Sequence, residues 1–157
     1  MNVRHAVCSA IVAASACIAT TAVLGADLPG EPFQTLFAMN IANGATTGNA
    51  SVTVPDGKRL VIEHVSLYAS VPTRSGQNVM AAIRSVVATT EQSHMLAPAV
   101  NIGPSASSPS VDLLLASHPV KIYADPNTKL TVGADRTLSK SGQISIRVTI
   151  SGRLVPL

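Results

Sequence analysis

Tryptophan is absent from this 157-residue chain, and the whole aromatic supply is Phe33, Phe37, Tyr68 and Tyr123. Sugar-binding sandwiches stack carbohydrate on exposed rings, so this scarcity argues against a stacked glycan site and leaves only polar loops such as Asn101 to Ser110 for one. Cysteine is nearly as rare, at Cys8 and Cys17 alone. Charged residues make up 12% of the chain, with a net charge of +3. That is too weak and too scattered for a nucleic-acid surface.

Catalytic and metal-ligating spacings are missing too. Beyond residue 26 the histidines are His64, His94 and His118, each isolated, with no HxH or HxxxH pair. A metal needs several ligands converging on one point. The paired histidines of cupin barrels have no counterpart here, so no metal ligand and no cofactor is implied. Gly103-Pro104-Ser105-Ala106-Ser107 lacks the second glycine of a nucleophile elbow. Gly57-Lys58 lacks the glycine spacing and the hydroxyl residue of a phosphate loop. Glu63 and His64 are adjacent, and neighbours on a regular strand point to opposite faces, which argues against an acid–base pair. No residue is therefore assigned a catalytic role.

What is present begins with an export pattern. Arg4 and His5 precede an apolar run from Ala6 to Leu24 that contains no acid, and Gly25-Ala26 gives a small-residue exit before Asp27, Leu28, Pro29 and Gly30. This order is that of a signal peptide over residues 1–26, cut after Ala26, with Gly25 as the other candidate. The run approaches the roughly 20 residues that span a bilayer, so a retained anchor is the alternative, but Ala and Thr rather than Leu dominate it. Lipidation at Cys17 is a further alternative, lacking the usual leucine three positions ahead.

Cleavage leaves residues 27–157, 131 residues with ten basic and eight acidic side chains. That is enough for one domain with its own core. Both cysteines leave with the signal, so stability must come from packing and hydrogen bonds.

Ile144, Ile146, Val148 and Ile150 alternate with Ser145, Arg147, Thr149 and Ser151, which predicts a strand with one buried face. Phe33, Phe37, Met39 and Ile41 share one side of an earlier strand. Val120–Ala124 and Leu130–Ala134, joined by Asp125-Pro126-Asn127, read as a hairpin, as do Val52–Val54 and the strand after Pro55-Asp56-Gly57. In that second strand Leu60 and Ile62 are even while Val65, Leu67 and Ala69 are odd, which predicts a bulge at Glu63-His64. Val79–Ala88 fits helical spacing as well, but its β-branched content favours a strand. Pro98–Ser110 reads as the longest loop, Val111–Ala116 as a run buried on both faces, and Arg136–Gly142 as a polar connection. Roughly eight or nine short strands without a repeat predict an all-β domain, an antiparallel β-sandwich or jelly-roll-like barrel.

Three stretches carry a resemblance: Val52–Ser66, Tyr123–Pro126 and Ile150–Val155. They resemble a loose group of small exported bacterial proteins of unassigned activity, which implies a secreted or periplasmic setting and lends no site residue. The expectation is a non-enzymatic binding or structural module of the envelope or extracellular space, its partner unidentified, with no transmembrane anchor after cleavage. The alternative is a hydrolase or lyase built on Glu63, His64 or His118. Convergence of those three side chains on one pocket would separate the two.

Overall fold

The computed structural model describes residues 30–137 and 141–157. The expected signal peptide, its cut after Ala26, Cys17, and Ser139 and Lys140 of the polar connection lie outside the described residues. Nine strands run through the rest: β1 (Glu31–Ile41), β2 (Thr47–Thr53), β3 (Lys58–Pro72), β4 (Val79–Val87), β5 (Thr90–Met95), β6 (Val100–Ser105), β7 (Ser108–Ala124), β8 (Lys129–Arg136) and β9 (Ile144–Pro156). They form two antiparallel sheets, ordered β1-β9-β3-β7-β6 and β2-β8-β4-β5. With β6 set aside, β1-β9-β3-β7 over β2-β8-β4-β5 is the strand order of a jelly roll, and β6 extends one sheet at its edge. The expected antiparallel sandwich is the fold.

Alternation puts the core between the sheets. Ile144, Ile146, Val148 and Ile150 of β9 are all fully buried, and β9 lies between β1 and β3. From β1, Phe37, Met39 and Ile41 join them, and the facing sheet contributes Leu130, Val132 and Ala134 of β8 and Val79, Ala81 and Ile83 of β4. Val79–Val87 is thus a strand, as its β-branched content predicts.

The parity change in β3 is a bulge. Both ladders of β3 shift register between Ile62 and His64, and Glu63 has no partner on either side. On β9 Ser151, the residue immediately before Gly152, is already opposite His64, so Glu63 is the extra residue. Ile62, Val65, Leu67 and Ala69 all reach the core as a result. β7 answers with its own irregularity, passing from Ile122 to Pro119 over the same step.

Other local expectations are corrected. Pro55-Asp56-Gly57 and Asp125-Pro126-Asn127 do turn the chain, with Gly57 at φ 66° and Asn127 at φ 58°. Neither makes a hairpin: β2 and β3 belong to different sheets, as do β7 and β8. The turns are arches over the ends of the sandwich. Pro98–Ser110 is not one long loop, because β6 pairs with β7 across Ser105–Ser108 with two register shifts. Proline and glycine are tolerated there because β6 is an edge strand. In the run Leu113-Leu114-Leu115, only Leu114 is fully buried, and Leu115 is 40% exposed.

At one end the buried Arg136 joins the sheets. Its guanidinium donates to the carbonyls of Ile41 and Ala42 at 3.1 and 2.6 Å and to that of Ser141 at 3.2 Å. A buried cation is stable only with such hydrogen bonds.

Candidate functional site

The residues singled out for chemistry do not converge. Glu63, pushed out by the bulge, is ion-paired with Arg153 of β9. His64 faces outward beside it, its Nε2 2.9 Å from Ser117 Oγ on β7. His118 is in register with the fully buried Val65, so its ring lies on the inner side of the sheet, and its Nε2 is buried without a hydrogen-bond partner in the protein. His94 belongs to the other sheet, on β5. Among the described residues, no group of three or more His, Cys, Asp or Glu side chains is placed to hold a metal.

The concavity lies against the outer face of the five-stranded sheet, and of the residues singled out for chemistry only His118 is among those that line it. It is an open groove of about 890 Å³, within the range of roughly 300–1,000 Å³ of small-molecule sites. Strand register builds its floor from two rows. One row runs Leu36, Thr149, Ser66 and Ser117 across β1, β9, β3 and β7. The next runs Arg147, Tyr68, Leu115 and Val100 across β9, β3, β7 and β6. Ala97 and Pro98, from the segment crossing between the sheets, supply a rim.

The bulge positions this floor. Side chains alternate faces with period two, so one inserted residue transfers every later residue of the strand to the opposite face. With Glu63 inserted, Val65 and Leu67 turn inward and Ser66 and Tyr68 turn outward into the groove. Without it, a tyrosine and a serine would replace aliphatic residues in the core.

The groove is mostly apolar. Leu36, Tyr68, Val100 and Leu115 expose between 37% and 66% of their surface along it. Ser66, Ser117 and Thr149 supply hydroxyls, and among the described residues Arg147 is the one lining the groove with a permanent charge. The Tyr68 hydroxyl accepts a hydrogen bond from Ser70 Oγ at 3.3 Å.

The Asp125 carboxylate stands away from the groove and is structural. Asp125, just after β7, accepts the Ala88 N–H at 2.7 Å and the Arg59 Nε–H at 2.8 Å. The Ala88 bond is the largest influence holding its pKa below the usual 3.8; burial opposes that effect and Arg59 adds to it. Asp125 thereby fastens the β4–β5 turn to the end of the opposite sheet.

Sequence reasoning found β9 and the bulge but not the groove. Its members come from five separate segments that only strand register makes neighbours. The available signal was Tyr68 and Leu115, large apolar groups whose neighbours Leu67 and Leu114 take the buried face.

No family model matches the chain, and no curated protein matches it. Among solved structures, it is similar to the dimeric latent PorU of Porphyromonas gingivalis at 6% identity and a TM-score of 0.47, over 85% of this chain. The chain spans only 14% of that protein. It is also similar to a Desmodium yellow mottle tymovirus chain at 13% identity and a TM-score of 0.29, over 99% of this chain and 97% of the viral one. Likenesses this distant carry no argument about activity.

Proposed function

We propose that this protein is an exported, non-enzymatic binding module, working in the periplasm or outside the cell, that takes its ligand on the outer face of the five-stranded sheet. The observation that carries the reading is the groove itself. Apolar side chains stay exposed along a concave, strand-built floor, at the cost of leaving hydrophobic surface in water. The export half rests on the Arg4-to-Ala26 pattern. The hydrolase or lyase alternative is weakened, because Glu63 is engaged by Arg153 and His118 faces the opposite side of the sheet from His64.

Two measurements test this. N-terminal sequencing of protein recovered outside the cytoplasm is expected to start near Asp27; an intact Met1 or a lipidated Cys17 would overturn the export assignment as stated. The second measurement is ligand titration followed by tyrosine emission, which is clean because the chain has no tryptophan. A groove ligand should perturb Tyr68, and replacing Tyr68 with Leu should abolish the signal change. Turnover of a simple ester or glycoside, lost in Glu63→Gln, would instead restore the enzyme.

A further inference from the structure

The groove's chemistry is uneven in a way that selects a ligand class. Arg147 begins a row that continues through Tyr68, Leu115 and Val100, from β9 to the edge at β6. No ion pair among the described residues engages its guanidinium. One end of the row is therefore an unpaired cation and the rest is exposed apolar surface. Three inter-strand spacings of about 4.8 Å give that row a length of roughly 14 Å, comparable to a medium-length acyl chain.

Resting on the binding reading above, we propose that the groove takes a single amphipathic anion, a carboxylate on a linear apolar chain. The carboxylate lies against Arg147, whose planar fork matches its two oxygens, and the chain runs over Tyr68 and Leu115 towards Val100. The hydroxyls of Ser66 and Thr149, in the adjacent row, border the charged end. A free molecule suits this site better than a bilayer. The surface is concave, and a membrane-binding face gathers several cations where this groove has one.

The test is calorimetric titration of the purified protein with decanoate, decanol and decyltrimethylammonium, each below its micellar concentration. Decanoate is expected to bind at least about tenfold tighter than the other two, the scale of one charged hydrogen-bonded contact. Arg147→Gln should bring decanoate down to the decanol level and leave decanol unchanged, whereas Leu115→Ser should weaken both. Both positions are exposed, and unchanged melting of each variant checks the fold. Equal affinity for decanoate and decanol, or decanoate binding untouched by Arg147→Gln, would overturn the anion assignment while leaving a binding groove. Failure of all three probes would overturn both. Sedimentation with phosphatidylglycerol vesicles without decanoate binding would overturn it in favour of a membrane surface.

Discussion

Gly152 of β9 passes so close to Val61 of β3 that a Cβ at Gly152 would collide with the Val61 carbonyl oxygen and stand 3.0 Å from the Ile62 Cα. The approach occurs at the last paired step before the bulge, where Gly152 is in register with Ile62. The bulge in one strand and the missing side chain in the next are two halves of one arrangement. Gly152→Ala should therefore destabilise the fold by about 1–3 kcal/mol or more. The control is Gly133→Ala in β8, where a Cβ would meet only Arg84 Nη2 at 3.7 Å. It should be neutral or stabilising by up to about 1 kcal/mol. Urea unfolding of both variants checks the contrast; equal effects would refute it.

Ile146 is fully buried at the centre of β9, and Ser145 beside it is exposed. Ile146→Ala should cost about 2–5 kcal/mol. Ser145→Ala should change the unfolding midpoint little, since its hydroxyl faces solvent. Denaturant titration of the two single variants reads both.

Thr89 ends a two-residue turn between β4 and β5, with Ala88 at φ 47° and Thr89 at φ 69°. Two consecutive positive φ values make the I′-type hairpin turn that normally carries Asn-Gly, and a β-branched residue is strained there. Thr89→Gly should stabilise the protein by about 1 kcal/mol, strain relief exceeding the added chain entropy. A higher melting temperature is the expected reading, and a lower one would show that the side chain contributes a contact.

Asp125 links pH to the same turn. Its pKa is lowered in the folded protein, so its contribution to stability is fully present above the unfolded value near 3.8. It is lost as pH falls through the lower folded value. Asp125→Asn should therefore narrow the stability difference between pH 6 and pH 3 relative to the parent. Urea midpoints across that range should show the narrowing; parallel curves for the two proteins would remove Asp125 from the pH response.

Legibility in the sequence followed the range of the interaction. The bulge could be read because Leu60-Ile62 and Val65-Leu67 change parity within a few residues. The sheets of the two Pro-Asp-Gly and Asp-Pro-Asn turns could not. Those residues fix φ and reverse the chain, but an arch between sheets and a hairpin within one use the same local angles. Edge strand β6 was hidden by Gly103 and Pro104, which break a central strand but are tolerated at the bulged edge where they lie. The groove needed the full register of the larger sheet, because Arg147, Tyr68, Leu115 and Val100 are neighbours in no segment of sequence.

The position of β9 also orders events in time. It forms a ladder with β1 on one side and with β3 on the other, so the first of the described strands finds its partner only in the last. Contacts of such sequence separation are slow to form and require the intervening chain to be present. The larger sheet consequently has a gap between β1 and β3 until residues 144–156 arrive. A chain threaded through a channel with its N-terminus leading could pair β3, β7 and β6 early, but β1 would stay without its ladder partner until the β9 segment had emerged.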